Sequence, residues 1–187
     1  MVRGMFATAA IALALVGTAL QAQQKTTDIP GAGGRARTSP HVKAEWSIDG
    51  ATVTVEYGRP YLKGRSEVDM MPPGQQWRTG ADEPTTITST KPIKIGTLTL
   101  AANTPHTINT VPGAQWELLV GKLDSPKPQW GIPYRKDLEV GRVPMTTGKT
   151  KAPVEQVTIH IDDTAAGATL RIEWGTASAT VPFTFAS

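Results

Sequence analysis

The segment EYGRPYLKGR, residues 56–65, combines three cations with a proline that interrupts strand pairing. Its cations are Arg59, Lys63 and Arg65. Arginine offers a rigid fork of donors that suits carboxylate or phosphate, whereas lysine offers a mobile point charge. Loops held by a rigid sheet commonly carry binding residues, but charged runs are also common in loops that only face solvent. Composition alone leaves both interpretations open.

A second charged segment, WRTGADEPTT, follows at residues 77–86. Trp77 could act as a stacking platform and Arg78 as a further cation for an anionic or polyhydroxylated ligand. The neighbouring Asp82 and Glu83 could act as general acid and base if their environments separated their pKa values. In the simpler structural alternative, both carboxylates pair with the cations of the two segments, and Trp77 covers the core.

The two segments supply the candidate ligand-binding residues of the chain, namely Arg59, Lys63, Arg65, Trp77, Arg78, Asp82 and Glu83. The sequence contains no GxSxG elbow, no SxxK, no HExxH and no phosphate-cradling glycine loop. His160 and Asp162 share one strand face, but the alternation with apolar neighbours favours a solvent face over a metal site. We therefore predict no catalytic residue, no metal and no cofactor, which favours a protein that is not an enzyme.

Residues 1–22 have the composition of a secretory signal peptide. Arg3 precedes an uninterrupted small and apolar run over residues 5–16, and a cleavage site fits after Ala22. This run is short for a bilayer span, which needs about 20 apolar residues. We therefore expect an exported protein, periplasmic or extracellular, with no transmembrane segment in the mature chain.

Composition restricts the mature chain further. Removal of the signal peptide would leave 18 Lys and Arg against 16 Asp and Glu, without the concentrated basic face of a nucleic-acid-binding protein. The chain has no cysteine, which excludes disulfides, thiol nucleophiles and thiolate metal sites. Residues 23–40 are polar and rich in Gly and Pro, as is typical of a flexible leader. A single domain is predicted for residues 41–187.

Apolar residues of this domain recur with a period of two, which is typical of strands with one buried face. The clearest pair, residues 41–48 and 51–57, flanks Asp49-Gly50, a strong hairpin signal. Further alternating runs lie at residues 116–120, 157–161, 168–174 and 179–185. A turn at Gly175-Thr176 would separate the last two. The sequence thus predicts an all-β fold, an antiparallel β-sandwich of about 8–10 short strands.

Several longer segments match the motifs of a known protein family. They are YGRPYLKGR, QWRTGADEPTTITSTKPIKIGTLTLAANT, TINTVPGAQWELLVGK and ATLRIEWGTASATVPF. On these segments the chain resembles a bacterial family catalogued as domain of unknown function 2911, from Val42 to about Phe185. The resemblance implies an exported, β-rich protein without an established activity, so it transfers no functional residues.

Three positions depart from the pattern of that family. Asp82 stands where the family has Asn, which exchanges a neutral amide for a charge. Asn103 stands where Gly is expected in a turn, and because Asn tolerates the left-handed conformation, the turn can survive. Pro105 replaces an expected Tyr. If that Tyr lines a pocket in relatives, this chain binds something different.

Three functions are compatible with the sequence. The favoured one is an exported binding or accessory module that holds an anionic or polyhydroxylated small molecule. The second is an envelope-associated structural or partner-binding protein without a small-molecule ligand. The third is a hydrolase that uses Glu83 or Asp82.

Overall fold

The period-two pattern becomes an antiparallel sheet in the computed structural model, which describes residues 23–31, 36–123 and 135–186. In these residues the strands are β1 (Gln23–Ile29), β2 (His41–Ile48), β3 (Ala51–Gly58), β4 (Thr86–Ser89), β5 (Ile93–Ile95), β6 (Leu98–Leu100), β7 (His106–Val111), β8 (Trp116–Lys122), β9 (Glu139–Thr164) and β10 (Gly167–Phe185). Helical structure in the same residues amounts to α1 (Glu67–Met70) and a 3-10 turn (Lys136–Leu138). The predicted signal peptide, residues 1–22, lies outside the described residues.

The strands follow the order β1-β2-β3-β4-β7-β8-β9-β10-β5-β6, and all pairs are antiparallel. Strand β9 pairs with β8 through its first residues and with β10 through the rest. The sheet is therefore bent at β9 into two layers, and the layer that contains β2 and β3 packs against the layer that contains β9 and β10. The hydroxyl of Tyr57 on β3 accepts a hydrogen bond from the backbone of Ile159 on β9 at 3.1 Å. The predicted all-β antiparallel sandwich is confirmed.

The hairpin at Asp49-Gly50 forms as predicted. Strands β2 and β3 pair from His41↔Gly58 to Ile48↔Ala51. The two turn residues have φ values of 50° and 69°, the left-handed pair that a two-residue hairpin turn requires. The local sequence therefore determines both the turn and the register.

Two strands are longer than predicted. Strand β9 has 26 residues and β10 has 19. The chain does not turn at Gly175, where we predicted a reversal. It forms a bulge, since the β10 register shifts between Gly175↔Val154 and Ala177↔Lys149. A glycine within an alternating pattern is compatible with a bulge as well as a turn, and the pairing partner decides between them.

Strand β1 lies within residues 23–40, which we expected to be a flexible leader. It pairs with β2 from Gln23↔Ser47 to Ile29↔His41, while the side chains of residues 24–28 are exposed. An edge strand is held by backbone hydrogen bonds and tolerates polar residues on both faces. The sheet therefore extends into the predicted leader.

The core lies between the two layers and contains the apolar faces of strands β2 to β10. Val53 and Val55 on β3 are fully buried, as are Ile159 on β9 and Leu170 on β10. Each such side chain contributes about 1.5–3 kcal/mol relative to exposure. Among the described residues, no helix is both long and apolar enough to cross a membrane.

Candidate functional site

Close backbone packing brings the two charged segments together. Gly58 ends β3 in the first segment, and Gly80 lies in the loop of the second. A Cβ atom on Gly58 would overlap the carbonyl oxygen of Ala81 and lie 2.9 Å from its carbonyl carbon. A Cβ on Gly80 would lie 2.9 Å from the carbonyl oxygen of Gly58. Only glycine permits this approach of one backbone to another.

Buried threonines hold the second segment in place. The backbones of Trp77 and Thr110 exchange hydrogen bonds of 2.7 and 2.8 Å. The Thr79 hydroxyl lies 3.2 Å from that of Thr110, and the Thr85 hydroxyl donates to the Thr79 carbonyl at 3.1 Å. All three hydroxyl-bearing residues are nearly inaccessible. The loop therefore presents its charged residues from a rigid base.

Glu83 forms its contacts with residues outside both charged segments. Its carboxylate accepts a 2.7 Å hydrogen bond from Arg37 Nη1 and lies 3.3 Å from His41 Nδ1. The expected pairing of Glu83 with the cations of the two segments is wrong, because its carboxylate pairs with Arg37 instead. The exposed side-chain fractions are 14% for Arg37, 20% for Glu83 and 5% for His41.

The remaining part of this site is a turn at Asp82. Arg78 Nη1 donates to the Asp82 carbonyl at 3.2 Å, and Asp82 has a φ of 65°. We call Arg37, His41, Arg78, Asp82 and Glu83 the Glu83 cluster. Both Asp and Asn adopt the left-handed region more readily than most residues. Asn could therefore take the place of Asp82 in this turn.

Substitution of Asp82 should separate its conformational role from its charge. We expect Asp82→Asn to keep the free energy of unfolding within about 0.5 kcal/mol of the parent. Asp82→Val should lower it by about 1–3 kcal/mol, because a β-branched residue is strained at positive φ. Urea denaturation measures both. Equal losses in the two variants would show that the carboxylate, rather than the backbone, determines this position.

The protonation states in the cluster follow from burial and charge. Burial alone would raise the pKa of Glu83, but the hydrogen bond from Arg37 and the nearby charges hold it below its usual value. Burial lowers the pKa of His41, although the Glu83 carboxylate opposes this shift. At neutral pH, Glu83 is therefore ionised and His41 is neutral. A general acid would need a raised pKa, so this geometry does not favour Glu83 in that role.

These shifts predict a loss of stability on mild acidification. Burial lowers the pKa of His41, His106 and His160 below the ordinary value of 6.5. The unfolded chain therefore takes up protons first as the pH falls through 6.5, and the folded state loses stability. We expect the Tm to decrease from pH 7 to pH 5. This range lies above 4.5, the ordinary pKa of a Glu carboxyl group, so the histidines dominate the change. His41→Gln should flatten this dependence, and an unchanged slope would contradict the prediction.

The remaining candidate cations point to other partners. Arg59 Nε donates to the Val157 carbonyl at 3.1 Å, and Nη2 donates to the Thr158 hydroxyl at 3.2 Å. Arg59 therefore fastens the end of β3 to β9. The structure does not place its guanidinium on Glu83.

Lys63 and Arg65 belong to an exposed turn. The Arg65 guanidinium donates to the carbonyls of Leu62 and Tyr61 at 2.9 and 2.7 Å. Lys63 has a φ of 51°, and its ammonium lies 5.9 Å from the centre of the Tyr61 ring. Both residues stabilise this turn locally.

Trp77 packs into the core. Its ring stacks on Trp174 with centroids 5.5 Å apart and meets the Trp116 ring edge-on at 6.5 Å. With both contacts made inside the sandwich, this arrangement agrees with the structural alternative for Trp77.

A separate polar group covers the outer face of β9 and β10. Arg171 binds Asp162 through two hydrogen bonds of 2.7 and 3.0 Å and pairs with Glu173 at 2.7 Å. His160 lies 3.7 Å from Glu173. The guanidinium of Arg171 therefore lies between the carboxylates of Asp162 and Glu173. In the part of the chain that the structure describes, no three His, Asp or Glu residues are arranged to hold a metal ion.

Sequence reasoning missed two members of the cluster, Arg37 and His41. Arg37 lies in the predicted leader, 46 residues from Glu83, and no spacing rule connects positions so far apart. His41 begins β2 beside Gly58. That pairing could have indicated a position near the charged segments, since the hairpin register was readable.

The two other departures from the family pattern lie outside the cluster. Asn103 has a φ of 55°, and its backbone donates to the Ser89 carbonyl at 2.7 Å. The turn therefore survives, as expected. Pro105 is exposed immediately before β7.

Comparison with known proteins gives a family and no activity. The family described as "Protein of unknown function (DUF2911)" matches residues 39–183. Comparison with curated proteins and with solved structures found no match. The matched range contains both charged segments and nearly all of the sandwich. The chain therefore belongs to the DUF2911 family of proteins of unknown function.

Proposed function

We propose that this protein is an exported binding module and that the Glu83 cluster holds a polyhydroxylated small molecule. The observation that carries the proposal is that Arg37 Nε and His41 Nδ1 are buried and have no hydrogen-bond partner among the residues that the structure describes. The 3.3 Å contact of His41 with Glu83 lacks hydrogen-bond geometry. Unsatisfied buried polar groups are rare in native proteins and call for a reason.

The charges of the cluster favour a neutral ligand. The cluster contains two arginines and two carboxylates, and the lowered pKa of His41 leaves the imidazole uncharged at pH 7. An added anion would meet Asp82 and Glu83 as well as the arginines. A polyol instead finds donors and acceptors on groups that are already charge-balanced, and hydrogen bonds to charged groups are the stronger ones.

A thermal-shift and calorimetric screen tests this proposal. The probes are glucose, cellobiose and chitobiose as neutral polyols, with phosphate and citrate as anions. We expect the neutral polyols to raise the Tm of the protein and the two anions to leave it unchanged. The increase should disappear in Arg37→Gln and Glu83→Gln but persist in Arg142→Gln, whose ion pair with Glu117 is exposed. A shift with anions alone would contradict the assigned ligand class.

One observation favours the alternative of a structural or partner-binding protein. The Arg37–Glu83 ion pair connects the residues before β2 to the loop before β4, and the Arg59 backbone donates to the Pro40 carbonyl at 2.7 Å. If the Glu83 cluster has only this structural role, none of the probes should bind, while Arg37→Gln and Glu83→Gln should still lower the stability of the fold. The same screen therefore separates the two functions.

Export rests on the signal-peptide composition of residues 1–22 and can be tested directly. Expressed in full in a bacterial host with a secretion pathway, the protein should accumulate outside the cytoplasm. Its intact mass should correspond to a chain that starts at Gln23. A full-length mass in the cytoplasmic fraction would contradict export.

A further inference from the structure

A cleft of about 600 Å³ lies at the end of the sandwich away from the Glu83 cluster. The cluster adjoins the His41↔Gly58 end of the β2–β3 hairpin, whereas the cleft adjoins the Asp49-Gly50 turn. Its walls also include the loop between β4 and β5, the turn between β9 and β10, and the end of β10. The cleft is therefore independent of the site proposed above.

The charged residues that line the cleft are one cation and one anion, Lys91 and Asp49. Lys91 Nζ donates to the backbone carbonyl of Asp49 at 2.6 Å. This contact fixes the ammonium beside the turn and uses one of its three donors. Asp49 lines the cleft as well, so the cleft has one residue of each charge at the hairpin turn.

Apart from Thr90 and Thr184, the rest of the lining is apolar. Phe185 is half-buried, and its ring meets the buried Phe183 ring edge-on with centroids 5.7 Å apart. Pro92 adds apolar surface, while Ala165 and Ala166 in the β9–β10 turn have side chains too small to fill the space. An apolar ligand body could pack against the Phe185 ring.

We propose that this cleft binds a small zwitterion with an apolar body, the chemical class of the free α-amino acids. The ammonium of Lys91 complements a carboxylate, and the carboxylate of Asp49 complements an ammonium on the adjacent carbon. An apolar side chain would lie on Phe185. A simple carboxylate meets repulsion from Asp49, and a simple amine meets repulsion from Lys91, so the cleft distinguishes zwitterions from both.

Three probes of equal ring size test the proposal: L-phenylalanine, phenylacetate and phenethylamine. Calorimetric or NMR titration of the folded protein should show saturable binding of phenylalanine, at least about tenfold tighter than of either singly charged probe. Absence of saturable phenylalanine binding at millimolar concentrations would overturn the proposal. So would equal affinity for all three probes, because the charge pair would then not contribute.

Asp49→Asn is the sharpest variant. It retains the backbone carbonyl that holds Lys91, and Asn tolerates the left-handed φ of 50° at this position. We expect it to reverse the preference, so that phenylacetate binds more tightly than phenylalanine. An unchanged preference would overturn the proposal. Lys91→Met should abolish the binding of both phenylalanine and phenylacetate. The control is Lys122→Met, at an exposed lysine on β8, which should leave the binding of both probes unchanged.

Discussion

Gly58→Ala should prevent folding or lower the free energy of unfolding by at least about 4 kcal/mol. The added methyl would overlap the backbone of Ala81, and a backbone cannot rotate away as a side chain can. Relief of the clash would require the loop of the second charged segment to leave β3. Since small domains are stable by only about 5–15 kcal/mol, this loss is a large part of the total.

Gly148→Ala is the matched control. A Cβ at Gly148 would lie no closer than 3.9 Å to another heavy atom, the carbonyl oxygen of Ser178. We expect its free energy of unfolding to stay within about 0.5 kcal/mol of the parent. Urea denaturation followed by tryptophan fluorescence measures both variants. A folded Gly58→Ala protein with parental stability would contradict the contact between the segments.

Glu83→Ala should lower the free energy of unfolding by about 2–3 kcal/mol, because it leaves the guanidinium of Arg37 without its counter-charge in a largely buried site. The partial exposure of both residues keeps this value below that of a fully buried pair. Glu83→Gln should lose less, since its amide oxygen still accepts a hydrogen bond from Arg37.

The control for this effect is Glu117→Ala. Glu117 also pairs with an arginine, Arg142, but both side chains are well exposed. Exposed ion pairs contribute about 0–1 kcal/mol, so little change is expected. Comparable losses at Glu83 and Glu117 would show that burial of the cluster has no energetic consequence.

The features that the sequence predicts correctly are those encoded locally. The Asp49-Gly50 turn needs two left-handed residues, and the dipeptide supplies them. The buried face of β3 follows from the alternation of Val53, Val55 and Tyr57. Each of these features depends on neighbours within a few positions, so a periodic pattern is sufficient to find it.

The features that escaped prediction depend on distant partners. Residues 146–149 of β9 show no apolar alternation, and they extend as a strand because β10 lies beside them. Strand β1 depends in the same way on the backbone of β2. The partners of Glu83 were missed for this reason too. Its position in a charged loop was readable, but Arg37 reaches it only through the tertiary fold.

The placement of the β5–β6 hairpin has a consequence for folding kinetics. These strands follow β4 in the chain, yet in the sheet they lie beside β10, where Ile93 pairs with Phe185. The hairpin must therefore remain undocked until the last strand has formed, across a chain separation that makes closure slow. We expect its amides to gain protection from hydrogen exchange later than those of β2 and β3 during refolding.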